Sequence, residues 1–256
     1  MNALKTLAQQ VLELIDLTSL NDNDTSEVIK QLCLKTNSEF GNVSAICIYS
    51  RFIPLAKEIL ATTKAPVKIA TVTNFPHGST DFELAMYETE LAIKRGADEV
   101  DIVFPYHALL AGDSNSGSKM VKEAKKRCGD KILKVIIESG ELQQPALIKA
   151  ASEISIDNGA DFIKTSTGKV AINATIEAAE IMLTTIKNTG SVCGFKVAGG
   201  IKTVTEAAKY LDLAAKIMGA NWINPQHFRF GASSLLLNVL STLRGRTINA
   251  ADNISY

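Results

Sequence analysis

Asn158-Gly159-Ala160-Asp161-Phe162-Ile163-Lys164-Thr165 joins a helix stop to a short β-rich run. Glycine reaches the left-handed backbone conformation that ends helices, and an apolar run directly after it reads as a buried strand. The same grammar recurs at Arg95-Gly96-Ala97-Asp98, just before another apolar run at 99–104. Working outward gives candidate strands at 13–16, 44–49, 68–73, 99–104, 131–138, 161–165, 194–198 and 221–224. Helical patterns lie between them at 25–39, 80–95, 145–158, 173–188 and 204–218; in the second, Phe82, Ala85, Met86, Leu91 and Ile93 fall close to one face.

Units of about 30 residues match the βαβ repeat, whose crossovers force strands parallel and cover the sheet on both faces. The predicted fold class is α/β: a single (β/α)8 TIM barrel over residues 1–256, with a short N-terminal helix and a tail from about 246 expected to be flexible. An open doubly wound sheet usually carries an early GxGxxG turn, which is missing here.

Hydrophobic residues make up 46% of the chain and charged residues 21%, which excludes a disordered protein. Lys+Arg and Asp+Glu each total 27, so the basic surplus of a nucleic-acid binder is absent. A small anionic substrate needs only a local positive site. The four cysteines (Cys33, Cys47, Cys128, Cys193) form no CxxC pair, and free thiols point to a reducing compartment. Residues 1–11 lack a compact apolar leader, and no stretch approaches the roughly 18 apolar residues of a membrane span. A cytoplasmic protein with no membrane partner is expected. The three histidines (His77, His107, His227) show no metal-ligand spacing, so no metal or cofactor is expected. The run Lys119, Lys122, Lys125, Lys126 and Arg127 reads as a solvated helix face.

In a barrel, chemistry sits at the C-terminal ends of the strands. Alternation in Phe162-Ile163-Lys164 puts Ile163 outward and Lys164 inward, and in Phe195-Lys196-Val197 it turns Lys196 inward. Neighbouring strands are about 4.8 Å apart. Two ammonium groups roughly 5–6 Å apart at an effective dielectric near 20 repel by about 3 kcal/mol, or roughly two pKa units. Such crowding, with desolvation, leaves one amine neutral part of the time and able to attack a carbonyl. The bland alternative sends both lysines out of the barrel mouth to solvent or carboxylates. Asp101 lies in an apolar run and needs a cationic partner; it reads as a proton-transfer group, a buried counter-ion, or both. Asp16 and Thr18 suit either a substrate hydroxyl or a turn, and Cys47 either faces the cavity or is an inert core thiol.

A candidate anion site combines Gly199-Gly200-Ile201-Lys202 after the seventh strand with Gly231-Ala232-Ser233-Ser234, read as opening the last helix, and Lys169. Separately, Gly-Gly is a turn and Ser-Ser an N-cap.

Asp16-Leu17-Thr18, residues 45–49 (AICIY), Val100-Asp101-Ile102-Val103-Phe104-Pro105, residues 162–169 (FIKTSTGK), residues 195–200 (FKVAGG) and residues 230–234 (FGASS) carry a resemblance over nearly the whole chain. The chain resembles the deoxyribose-phosphate aldolases, a family of class I aldolases. The resemblance implies reversible cleavage of 2-deoxy-D-ribose 5-phosphate to glyceraldehyde 3-phosphate and acetaldehyde in deoxyribonucleoside catabolism, without a cofactor. It implies Lys164 as the Schiff-base lysine, Lys196 as the second lysine that lowers its pKa, and Asp101 as the proton-transfer acid. Gly168, Lys169, Gly199, Gly200, Gly231, Ser233 and Ser234 match phosphate-binding positions, and Tyr256 matches a terminal tyrosine that folds back to assist proton exchange. Ser50 stands where proline is frequent and Lys202 where arginine is common; lysine keeps charge but loses bidentate contact. Another phosphosugar barrel, an isomerase or a different Schiff-base aldolase, and a binding barrel without turnover stay open, as does a homodimer.

Overall fold

The computed structural model describes residues 3–63 and 66–245. Its strands are β1 (Ile15–Thr18), β2 (Ala45–Ile48), β3 (Lys68–Thr73), β4 (Glu99–Val103), β5 (Ile132–Ile136), β6 (Phe162–Lys164), β7 (Gly194–Ala198) and β8 (Phe228–Ala232). Each pairs in parallel with its sequence neighbours, and β8 closes on β1 through Ile15 opposite Phe230 and Asp16 opposite Gly231. The result is the closed (β/α)8 barrel expected, with a short N-terminal helix, Ala3–Glu13, packed on the outside.

The Gly-Ala-Asp segments do more than stop helices. Gly96 (φ 97°) and Gly159 (φ 92°) take the left-handed turn, which glycine adopts without a Cβ clash. The aspartate that follows then fixes the neighbouring strand. Asp98 accepts the backbone N–H of Ile69 in β3 at 3.0 Å, and Asp161 accepts that of Leu133 in β5 at 2.7 Å. Register is thereby set at the barrel floor, where a one-residue slip would turn every inward side chain outward.

Outward residues such as Ile163, Phe195, Val197, Phe228 and Phe230 join the helices in one continuous core. Thr25, Asp81, Thr175 and Thr203 cap their helices through side-chain oxygens, and Thr203 with Glu206 completes a capping box. The basic run lies on helix Asn115–Cys128, where Lys125 pairs with Asp161 at 2.6 Å and Arg127 with Glu123 at 2.7 Å.

Three expectations shift. The helix expected at 25–39 ends at Leu34, because Asn37–Ser38 and Gly41–Asn42 form a small hairpin that turns through Gly41 (φ 121°). The first strand starts at Ile15, two residues late, since Glu13 still belongs to the helix. The strand expected at 221–224 is instead a 3-10 turn, Ala220–Trp222, followed by a loop through Pro225. The true eighth strand is Phe228–Ala232, so Gly231 lies in a strand and the last helix starts at Leu235. There Asn224 C=O accepts the N–H groups of His227 and Phe228, bonds that curl the backbone rather than extend it.

Candidate active site

Lys164 and Lys196 stand directly opposite each other on β6 and β7. Their ammonium groups converge on one atom: each donates to Asp101 Oδ2 at 2.9 Å. Lys134, on β5, donates to the other oxygen, Asp101 Oδ1, at 2.9 Å and pairs closely with Glu99. Lys196 also reaches Asp16 at 2.5 Å. Arg229, from β8, bridges Asp16 at 2.6 Å and Glu99 at 3.1 Å, beneath the ring of Phe162 at 5.7 Å.

Four cations and three carboxylates thus fill the barrel axis. Lys134, Lys196, Asp16, Glu99 and Asp101 are 0% exposed, while Lys164 is 3% exposed. Burial disfavours charge on Asp101, but Lys134, Lys164 and Lys196 outweigh it and hold the carboxyl well below the usual range. Burial likewise opposes ionisation of Asp16, and Lys196, Arg229 and Lys134 win there too. Lys196 follows the mirror logic: burial disfavours its ammonium, yet Asp101 and Asp16 push its pKa above the ordinary lysine value. The repulsion expected between the two lysines is therefore mediated by a shared anion. Lys196 is a firmly held cation beside Lys164.

Asp16 spends both oxygens on Lys196 and Arg229, so it acts as a counter-ion at the floor of the site. Thr18 donates its hydroxyl to the Asp16 carbonyl at 2.9 Å, a local turn bond. Cys47 faces inward among Leu20, Ala70 and Val72, and burial pushes its thiol up. Tyr256 lies outside the described residues.

The loops expected to hold an anion surround the C-terminal mouth. Gly168 (φ 84°), Gly199 (φ 90°) and Gly200 (φ 88°) turn in the left-handed region. At Gly199 close approach also demands glycine, since a Cβ would lie 2.6 Å from the Asn173 side chain. Lys169, Lys202, Ser233 and Ser234 are exposed. Ser234 occupies the N-cap of helix Leu235–Arg244 without using its side chain as a cap. Gly231 departs from the expectation. It lies inside the barrel, where a Cβ would press on Lys196 Cε at 3.1 Å, so it makes room for the lysine stem.

Lys134, Glu99 and Arg229 escaped the sequence reading, as did Glu138, a buried carboxylate at the end of β5. Single charged residues inside the apolar strands 132–136 and 228–232 were the available signal. Phe228-Arg229-Phe230 alternates as plainly as Phe195-Lys196-Val197. Among the described residues, no cluster of three or more His, Cys, Asp or Glu side chains is arranged to hold a metal ion.

An eight-stranded parallel barrel whose interior holds a lysine–carboxylate cluster, topped by Lys164 at the C-terminal end of β6, defines a TIM-barrel enzyme. The sequence profile of the DeoC/LacD family aldolases matches residues 10–241, and the chain belongs to that family. It is an aldolase, hence a lyase. A candidate deoxyribose-phosphate aldolase from Coccidioides immitis shares 27% identity, covering 92% of this chain and 86% of its own, with a TM-score of 0.81. A second candidate deoxyribose-phosphate aldolase, from Toxoplasma gondii, shares the fold at TM-score 0.88 with 24% identity, covering 96% and 99% of the two chains. The deoxyribose phosphate aldolase of Aeropyrum pernix, described as tetrameric, shares the fold at TM-score 0.71 with 23% identity, covering 95% and 93%.

Proposed function

We propose that the protein cleaves 2-deoxy-D-ribose 5-phosphate reversibly to glyceraldehyde 3-phosphate and acetaldehyde through a Schiff base on Lys164. The observation that carries this reading is the shared Asp101 oxygen between Lys164 and Lys196 at the mouth of the barrel. Lys164 is the least buried of the three lysines and makes one bond within the cluster, whereas Lys196 and Lys134 each make two. Freeing Lys164 of its proton therefore disrupts the network least.

Neutral Lys164 Nζ adds to the aldehyde carbon of the open-chain sugar, giving a carbinolamine. Lys196, charged and adjacent, donates a proton to the departing hydroxyl and is left as the neutral amine that later takes a proton back, while Asp101 stays ionised between the two lysines and holds them in place. Loss of water leaves an iminium. A base removes the proton of the C3 hydroxyl, the C2–C3 bond breaks, and its electron pair flows into the iminium to form an enamine. C3 leaves as the aldehyde of glyceraldehyde 3-phosphate. Protonation of the enamine at C2 and addition of water release acetaldehyde and Lys164. The ionised floor of the site holds the developing charges without reorganising.

Gly168, Lys169, Gly199, Gly200, Lys202, Ser233 and Ser234 hold the phosphate in this reading, through backbone N–H groups, hydroxyls and two ammonium groups. The buried free thiols fit a cytoplasmic role in deoxyribonucleoside breakdown, and assembly with identical subunits follows the tetramer described for the Aeropyrum protein. Borohydride added with acetaldehyde tests the chemistry directly. An ethyl group on the Lys164 peptide is expected; an unmodified Lys164 after loss of activity would overturn the assignment.

A further inference from the structure

Glu138 leaves β5 at the barrel mouth, 0% exposed, in a left-handed conformation (φ 55°, ψ 59°) that side-chain-bearing residues rarely adopt. Its carboxylate forms no salt bridge among the described residues. It grips one residue instead. Glu138 Oε1 accepts the Thr167 N–H at 3.2 Å, and Oε2 accepts the Thr167 hydroxyl at 2.5 Å. The Thr167 oxygen in turn accepts the N–H of Lys169 at 3.0 Å.

Backbone bonds reinforce the grip from both sides. Ile137 N–H reaches the Lys164 carbonyl at 3.0 Å, and Ser139 N–H the Thr165 carbonyl at 2.8 Å. Gly140 presses so closely on the Ile172 carbonyl that a Cβ there would lie 1.8 Å away. Residues 137–140 therefore template the loop that follows the Schiff-base lysine. Burial pushes the Glu138 pKa up, against the Thr167 hydrogen bonds and the charge of Lys164.

We infer that Glu138 is a positioning residue that sets selectivity for the phosphorylated sugar, by holding Gly168 and Lys169 through Thr167 at the phosphate end of the site. The inference rests on the aldolase reading above and names what sharpens its substrate class. A loose loop would still leave Lys164 and its charged floor in place, so the loss falls on phosphate recognition.

The test compares kcat/KM for 2-deoxyribose 5-phosphate with that for 2-deoxyribose in four variants. In Thr167→Val the ratio is expected to fall about ten-fold, mainly through KM for the phosphate ester. In Thr167→Ser, which keeps the hydroxyl, it returns close to wild type. Glu138→Gln keeps an acceptor but loses the charge that strengthens it, and a fall of about three-fold is expected. The double variant Glu138→Gln/Thr167→Val should fall by less than the product of the two single effects, since both act on the one Glu138–Thr167 contact. A ratio unmoved in Thr167→Val, a fall shared by Thr167→Ser, or equal losses on both sugars would overturn the inference while leaving the aldolase reading standing. A wild type that cleaves neither sugar would overturn that reading and the inference with it.

Discussion

The floor and the mouth of the barrel are built on opposite plans. At the floor, Arg229, Lys134, Glu99 and Asp16 each meet at least two partners of opposite charge and are sealed from solvent. At the mouth, among the described residues, Lys164 makes a single ion pair, the Ser234 side chain leaves its helix uncapped, and the buried Ser166 hydroxyl finds no partner. A saturated polar network is rigid, whereas groups with bonding capacity to spare are where a substrate can supply the missing partner. The floor positions; the mouth reacts.

That division predicts two separable kinds of damage. Lys164→Met should lower kcat by about 10⁴-fold or more, measured in a coupled assay for glyceraldehyde 3-phosphate. Its stability should change by only about 1–2 kcal/mol, because Asp101 keeps Lys134 and Lys196. Arg229→Met should do the reverse, costing about 3–5 kcal/mol in urea unfolding by leaving Asp16 Oδ1 and Glu99 Oε1 buried without the guanidinium that each faces. If Lys164→Met proved the more destabilising of the two, floor and mouth would not be distinct.

Acid should dismantle the floor along a defined course. Asp16 and Asp101 have folded-state pKa values below their unfolded value of about 3.9, so their contribution is complete above that value. It disappears as pH falls from about 4 through the lowered folded values, because the unfolded chain takes up protons first. Asp16→Asn should reduce the slope of unfolding free energy against pH in that window by about 1.4 kcal/mol per pH unit. An identical slope in wild type and variant would mean that Asp16 is not held ionised.

The sequence made the mouth more legible than the floor. Lys164 and Lys196 announced themselves because each sits in a short strand whose alternation is plain and which leads into a glycine turn. Lys134 and Glu99 sit at strand positions that periodicity also marks as inward. A charge there looked like noise until its partners, on strands far away in sequence, came into contact. Arg229 was hidden by a misplaced strand. The run Asn221-Trp222-Ile223-Asn224 is apolar enough to pass for a strand, yet Pro225 follows it and the loop closes on Asn224. Glu138 carried no local signal, since its role depends on a left-handed backbone and on Thr167, 29 residues onward.

The finest test of the division uses two residues of the same kind of position. Thr203 and Ser234 each precede a helix that follows a barrel strand on the phosphate side. Thr203 accepts the Glu206 N–H at 3.1 Å and belongs to a capping box, so its hydroxyl is already employed in holding the helix. Ser234 takes a helical conformation (φ −96°, ψ −15°) and makes no side-chain cap bond. Thr203→Ala should therefore cost about 1 kcal/mol of stability, while Ser234→Ala should stay within about 0.5 kcal/mol. If the mouth is built to bind phosphate, Ser234→Ala should instead raise KM for 2-deoxyribose 5-phosphate by several-fold, roughly the worth of one hydrogen bond to a charged group. A stability loss at Ser234 equal to that at Thr203, with KM unmoved, would make the last helix an ordinary capped helix and remove Ser234 from the phosphate site.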